Sequence, residues 1–344
     1  MKQTILTLLL IAVSAIASAQ EGELLTLRLE TRFDYMQEYV KDEKIDDNSG
    51  FKGRYLNIRM DGTIADGLTY SYRQRLNKPQ KDASFFDATD WMTITYARNN
   101  WSVSTGKQVV GIGGFEYDGA PIDLYFCSEY WNNIPCYQIG VSGAYTTDDM
   151  KDKFLVQICE SPFRRNALNV YNKEMFAYNA MWYGSHDIFS SIWSVNMIEY
   201  LPGKFINYIV LGNKFTFGDF YIDLDIMNRA ASFKDLVGKD MSVMAKFQWS
   251  PAQNLNIFAK VTHDFNNSEE AGDWCVLPGT SITRAGGGLE YFPFKDSKNL
   301  RLHLNCCHTW GTNSSPAGAL QNRQTIIDGG ITWMMDMLKI RSKN

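Results

Sequence analysis

Residues 24–35 read LLTLRLETRFDY. Leu25, Leu27, Leu29, Phe33 and Tyr35 share one parity, and Thr26, Arg28, Glu30, Arg32 and Asp34 share the other. Successive side chains of a strand point to opposite faces, so the stretch predicts a strand with one apolar and one charged face. The period recurs outward from here. Leu255, Ile257, Ala259 and Val261 alternate with Asn256, Lys260, Thr262 and Asp264. Ile222, Leu224 and Ile226 alternate with Asp223 and Asp225, and Leu300, Leu302 and Leu304 with Arg301, His303 and Asn305.

Sixteen such segments follow one another: 22–40, 50–64, 67–78, 89–98, 101–112, 136–147, 152–162, 175–186, 189–200, 204–217, 220–231, 239–250, 254–266, 281–293, 299–310 and 324–338. The connections after even-numbered segments are short, as at Ala65-Asp66, Asn99-Asn100, His186-Asp187 and Gly218-Asp219. Most of those after odd-numbered segments are long: 79–88, 113–135, 163–174, 267–280 and 311–323, with Pro202-Gly203 the exception. An even strand number with short turns on one side and long loops on the other is the signature of an outer-membrane barrel. A soluble β-sandwich also alternates, and period alone does not separate the two. Three features favour the barrel. Charges on the polar parity include short neighbours such as Asp223 and Asp225, suited to a wet lumen. Sixteen strands in one series need closure, because open sheets beyond about ten strands are rare. Trp91, Trp101, Trp249 and Trp310, with Tyr96, Tyr200 and Tyr291, fall at segment ends, where aromatic girdles meet the lipid–water interfaces. The expectation is an all-β, transmembrane, antiparallel barrel of 16 strands.

Composition agrees. The 344 residues are 45% hydrophobic and 14% aromatic, which excludes an aromatic-poor disordered chain. Residues 1–19 read as an export signal: Lys2, an apolar Ile5 to Val13, then Ala17-Ser18-Ala19 as an A-x-A site. That leaves 20–344 as a single barrel domain. Without Lys2 there are 33 basic against 38 acidic residues, the wrong sign for a nucleic-acid binder. Beyond the signal no run of about 18 apolar residues occurs, so nothing spans a bilayer as a helix. The expected location is the outer membrane, integral and in contact with its lipid. Six cysteines fit no zinc spacing and are too sparse for a disulfide scaffold. Cys127 and Cys136 lie in one connection and could pair in an oxidising compartment; the other reading makes most of the six small buried or surface thiols.

Residues 106–126 read GKQVVGIGGFEYDGAPIDLYF, followed by CSEYWNNIPCYQIGV. This segment, with the leader and the sixteen-segment layout, resembles the Bacteroidetes branch of the phosphate-selective porin O and P family. The resemblance implies a sixteen-stranded barrel, usually a homotrimer, whose long third loop folds into the pore. It also implies passive diffusion of small hydrophilic solutes or inorganic anions, phosphate among them, with no cofactor.

The loop's chemistry agrees. It carries Phe115, Tyr117, Tyr125, Phe126, Tyr130 and Trp131 beside Glu116, Asp118, Asp123 and Glu129. So many aromatics are costly to leave in water, so the loop must pack on something, and the lumen wall is nearest. The alternative is a loop folded over the barrel mouth or against a neighbouring subunit. Parity points Arg28, Arg32, Arg59, Arg73 and Arg75 into the lumen on the first three strands, interleaved with Glu30, Asp34 and Asp61. Counting also Lys246, Lys260, Arg284 and Arg301 against Asp223, Asp225, Asp264, Glu290, Asp328 and Asp336, the lumen is balanced at nine of each sign. The local basic surplus on strands 1–3 would oppose the acidic loop; the alternative pairs those arginines with neighbouring carboxylates.

Other readings stay open. Four histidines occur without a G-x-S-x-G elbow, an H-E-x-x-H helix, a P-loop or a calcium loop, so no catalytic or metal residues are assigned and the chain is not read as an enzyme. An outer-membrane hydrolase is the remote alternative, and an occluded structural or adhesin-type barrel the nearer one. Gly286-Gly287-Gly288 sits mid-strand and suggests close packing, with a subunit contact as one candidate. The chain ends on Met337-Leu338-Lys339-Ile340 and four polar residues rather than on a terminal aromatic.

Overall fold

The alternating segments form one antiparallel sheet that closes on itself. The computed structural model describes residues 23–78, 86–164, 174–269, 275–316 and 318–341; the expected export signal lies outside them. The wall strands are β1 (Glu23–Val40), β2 (Gly50–Ala65), β3 (Leu68–Arg75), β4 (Thr89–Arg98), β5 (Trp101–Val109), β6 (Tyr137–Thr146), β7 (Asp152–Glu160) and β8 (Phe176–His186). They continue as β9 (Phe189–Leu201), β10 (Lys204–Phe217), β11 (Phe220–Ala230), β12 (Asp240–Ala252), β13 (Leu255–Asn266), β14 (Ser281–Tyr291), β15 (Leu300–Thr312) and β16 (Gln324–Arg341). Each pairs with its sequence neighbours, and β1 closes the ring on β16 from Glu23↔Arg341 to Val40↔Gln324. Closure leaves no edge with unpaired backbone groups, the condition for crossing lipid. A two-residue strand, Glu43–Lys44, adds a rung on Tyr39–Val40 beyond the wall.

Thirteen of the expected segments match their strands to within two residues, and the other three differ at their C-terminal ends. β5 stops at Val109 because the chain leaves the wall: the Gly111 N–H donates to the Gln157 side chain at 2.7 Å instead of to a neighbouring strand. β3 ends at Arg75, three residues early. β16 runs on to Arg341 because Leu338, Lys339 and Ile340 pair with Leu27, Thr26 and Leu25, so the polar end is still strand.

Parity sets the two faces. On β9, Val195 is 60% exposed and Asn196 is 0% exposed. The outward row is apolar around the barrel, including Ile94, Val141, Ile158, Val195 and Leu304, while the inward row is polar and buried. Trp101, Trp249, Trp310, Tyr96 and Tyr291 are exposed on the outer face, as girdle residues must be. Trp91 and Tyr200 are not girdle residues. Trp91 shares the parity of Thr93 and Thr95 and donates its indole N–H to the inward Ser71 at 2.8 Å. Tyr200 is buried among Ile198, Ile206, Tyr208 and Val210, an apolar cluster on the inner face.

Two glycines of the run, Gly286 and Gly288, face inward. Gly286 and Gly288 share the inward parity of Arg284 and Glu290 and stand opposite Cys307 and Phe258. Phe258 and Cys307 pack with Phe126 of the 110–136 connection, so the missing side chains leave room for an aromatic ring inside the barrel. Cys127 and Cys136 are both free thiols, not a disulfide. The Cys127 carbonyl lies against Arg284, whereas Cys136 lies near Tyr117, and burial pushes the Cys127 thiol up to about 12.

Candidate functional site

The long connection between β5 and β6 carries two short helices, α1 (Phe115–Asp118) and α2 (Glu129–Asn133). A helix start leaves N–H groups without intrahelical partners. Here the wall supplies the acceptors. Asp225 of β11 accepts from Phe115 N at 2.9 Å and Glu116 N at 2.7 Å. Asp264 of β13 accepts from Glu129 N at 2.8 Å and Tyr130 N at 3.3 Å. Both carboxylates have the lumen parity expected of pore charges, but their oxygens are spent on capping.

Further bonds tie the connection to inward residues around the wall. Asn196 of β9 donates to the Gly111 carbonyl at 2.6 Å, and Gly113 N donates to Ser194 at 2.9 Å. Lys260 of β13 meets Glu116 at 2.7 Å and donates to the Phe126 carbonyl at 2.8 Å. Tyr125 donates to Glu290 of β14 at 2.7 Å, and Arg301 of β15 meets Asp123 at 2.8 Å. From β1, Arg32 donates to the Leu124 carbonyl at 2.7 Å. The aromatics find partners too. Tyr125 lies under Arg32 at 4.7 Å, Phe115 under Lys214 at 4.5 Å and Tyr130 under Arg229 at 5.1 Å. A ring face against a desolvated cation is attractive, which offsets the cost of holding these rings away from lipid.

The residues singled out from sequence distribute as follows. Arg28 pairs with Asp336 at 2.7 Å, and Arg59 with Asp61 at 2.7 Å. Arg73 meets Glu30 at 3.2 Å and Asp90 at 3.5 Å, and Arg75 meets Asp90 at 2.8 Å. Arg32 meets Asp34 at 2.7 Å. Each arginine of strands β1–β3 that parity selected therefore has a carboxylate of its own wall. The loop carboxylates turn elsewhere: Glu116 to Lys260, Asp123 to Arg301, and Glu129 to Leu320 N at 2.9 Å and Asn133 at 2.7 Å. Tyr117 is buried in the inner apolar cluster. Asp118 is accessible to water, and desolvation by the protein around it raises its carboxyl above the ordinary range.

Among the described residues, Asp34, His303 and Asp328 bring ligand-type atoms within 4.8 Å of one another. Their counter-charge is already present. The Arg32 guanidinium lies 2.7 Å from Asp34 and 3.8 Å from Asp328.

Two cavities flank the connection. One, of 510 Å³, opens toward the long loops and is bounded by Asn48, Ala319 and Gln321. Arg32, Arg54, Arg75 and Arg284 line it, with Glu38 as the one carboxylate on its lining. Arg54 escapes a parity reading because β2 bulges there: Arg32 faces Tyr55 and Phe33 faces Gly53, so Arg54 is the extra residue. Arg284 is held by Thr309, Gln324 and the Cys127 carbonyl, all uncharged. The second cavity, of 420 Å³, extends toward the short turns past Leu155 and Tyr183. Trp131 lines both.

Comparison with known proteins agrees with this architecture. The family model described as Phosphate-selective porin O and P matches residues 25–180. No curated protein matches the chain in sequence. Among solved structures, an anion-selective porin from Comamonas acidovorans is similar at 11% identity and a TM-score of 0.62, covering 92% of this chain and 100% of its own. The trimer form of OmpT, an outer membrane protein of Vibrio cholerae, is similar at 13% identity and a TM-score of 0.59, covering 90% and 99%. A mutant porin of Rh. blastica is similar at 13% identity and a TM-score of 0.56, covering 90% and 100%. The first part of the barrel thus carries the sequence pattern of the phosphate-selective porin O and P family, and the whole chain has the fold of an outer-membrane porin.

Proposed function

We propose that this chain is an integral outer-membrane porin for passive diffusion of ions and small hydrophilic solutes, with anions preferred. It catalyses nothing and needs no cofactor in this reading. The resemblance of segment 106–141 supports the Bacteroidetes branch of the matched family, and the trimer form of the Vibrio cholerae protein supports a homotrimer. The 110–136 connection is the loop folded into the pore. Its bonds to β1, β9, β11, β13, β14 and β15 support that role, because those strands surround the lumen.

The observation that carries the anion preference is the 510 Å³ cavity on the long-loop side, where Arg32 and Arg75 are matched by Asp34 and Asp90 but Arg54 and Arg284 have no close carboxylate of their own. Long loops are extracellular in such barrels, so this is the entry side. Fixed positive charge in a low-dielectric funnel raises the local anion concentration. The test is planar-bilayer conductance under a KCl gradient. The expected result is steady current with a modest anion-selective reversal potential, which the double variant Arg54→Gln, Arg284→Gln moves toward cations. Phosphate block of the chloride current would single out phosphate as the preferred anion. The second reading, an occluded barrel, is favoured by the apolar cluster of Tyr117, Tyr130, Tyr208 and Val210 that fills part of the interior. A folded barrel that passes no current overturns the porin and establishes the occluded form.

A further inference from the structure

We propose that the indole of Trp131 is the size-limiting barrier between the two cavities, so that it sets the bulk of the solute that crosses while the entrance arginines set its charge. The proposal deepens the porin reading by placing two filters on different residues, and it rests on that reading for a continuous path.

The two linings locate the junction. Among the described residues, Trp131 is the one that belongs to both the long-loop and the short-turn cavity. The barrel wall changes over between neighbouring inward residues of β3: Arg75 lines the long-loop cavity and Arg73 the short-turn one. The loop itself changes over between Leu124 and Pro121. A solute leaving the first cavity for the second therefore passes the indole.

The backbone that carries the indole is held in place. Trp131 is the third residue of α2, and its N–H donates to the Ser128 hydroxyl at 3.1 Å. Asp264 of β13 accepts from Glu129 N at 2.8 Å, Glu129 accepts from Leu320 N at 2.9 Å, and Asn133 donates to the Cys275 carbonyl at 2.8 Å. The turn is thus tied to the wall and to two other connections, so widening the passage there takes a rotation of the ring and not a swing of the helix. The ring–cation contacts that hold the loop fall on Phe115, Tyr125 and Tyr130. Removing the half-buried indole leaves those anchors in place.

Charge is matched at the step in the wall. Arg73 is answered by Glu30 at 3.2 Å and Asp90 at 3.5 Å, and Arg75 by Asp90 at 2.8 Å. The cations with no close carboxylate of their own, Arg54 and Arg284, line the long-loop cavity instead. A narrow point with a bulky ring and paired charges discriminates by diameter, and the unpaired charge at the entrance discriminates by sign.

Planar-bilayer recording of the full-length protein tests this, with polyethylene glycols of graded length as neutral probes of pore size. Trp131→Ala is expected to raise single-channel conductance about twofold or more and to admit longer polymers, because pore diameter limits passage. Its reversal potential under a KCl gradient should stay near that of the parent. The double variant Arg54→Gln, Arg284→Gln should do the opposite, moving the reversal potential and keeping the polymer limit. Trp131→Phe, with a smaller ring, should act in the same direction by less, and it carries the test if Trp131→Ala does not assemble. A conducting parent whose conductance and polymer limit are unchanged in both Trp131 variants overturns the barrier and leaves the porin reading standing. A silent parent beside a conducting Trp131→Ala barrel supports the barrier and overturns the open porin. Silence from both, with both barrels folded, overturns the two together.

Discussion

Removing Lys260 should release the 110–136 connection, and the size of the effect follows from its surroundings. Lys260 and Glu116 are 2.7 Å apart with side chains only 5% and 8% exposed. A buried pair of this kind contributes little net stability against an apolar pair of the same shape, but breaking it leaves a stranded charge, which costs about 3–5 kcal/mol. Glu116 would keep two bonds, from Ser128 N at 3.0 Å and Ser128 Oγ at 2.5 Å, so the lower end of that range applies. About 3 kcal/mol is roughly a hundredfold in an opening equilibrium. The perturbation is Lys260→Ala, and the assay is amide hydrogen exchange of the loop in detergent-solubilised protein. Amides of Ser128 and Glu129 should exchange about a hundredfold faster in the variant, since local opening sets their protection. The double variant Lys260→Met, Glu116→Gln should return most of that protection, because it removes both charges and keeps the volume. Unchanged loop protection in Lys260→Ala would refute the claim that this pair anchors the loop. So would a double variant no better than the single one.

Three other outcomes are expected. Asp225→Ala should accelerate exchange at the Phe115 and Glu116 amides, and Asp264→Ala at the Glu129 and Tyr130 amides; each loses a cap of about 1–2 kcal/mol, and exchange mapped by peptide checks that the effects stay local. Gly330→Val should impair assembly, because a Cβ there would stand 2.2 Å from the Phe33 carbonyl oxygen and 2.5 Å from Asp34 Oδ1. Overpacking of this kind costs about 1–3 kcal/mol, and the folded fraction on an unheated gel should fall, while Gly143→Ala, with its nearest neighbour 4.0 Å away, should assemble normally. Anion preference should rise on acidification from a pH above the usual aspartate range. Desolvation shifts Asp118 upward, so it loses its negative charge above the ordinary aspartate range; reversal potentials against pH should show a step there, and Asp118→Asn should diminish it.

The wall was legible because period two is a backbone property that each strand reports by itself. Boundaries slipped where the chain was doing something non-local: β5 ends at Val109 because Gln157, on another strand, takes the Gly111 amide. The anchors of the loop were not legible. Asp225 and Asp264 have the same parity as any pore charge, and only closure of the ring brings β11 and β13 to the starts of α1 and α2. Two further signals stand in the sequence. Trp91 lies on the parity of Thr93 and Thr95, which already points it inward. Residues 205–211 are apolar on nearly every position, Phe205, Ile206, Tyr208, Ile209, Val210 and Leu211, although one face of a porin strand should be wet. That pattern announces a strand covered on its inner side, and Tyr130 packs on Tyr208 there with ring centroids 5.9 Å apart.

Counting lumen charges is a poor guide to selectivity for the same physical reason. Nine against nine is a balance of residue types, but a solute feels the field left after local pairing. Arg28, Arg59 and Arg75 each stand within 2.7–2.8 Å of a carboxylate, and such a pair is a dipole whose field fades within a few ångströms. Arg54 and Arg284 are different. Arg54 is 3.5 Å from an Asp34 already engaged by Arg32 at 2.7 Å, and the partners of Arg284 are uncharged. Both line the cavity that a solute meets first from the long-loop side. Salt screens charge over about 10 Å at 0.1 M, so the surplus acts at this entrance and not along the whole channel. The second cavity differs in this respect: its one lining cation, Arg73, is answered by Glu30 and Asp90, and Trp131 stands on the boundary between the two.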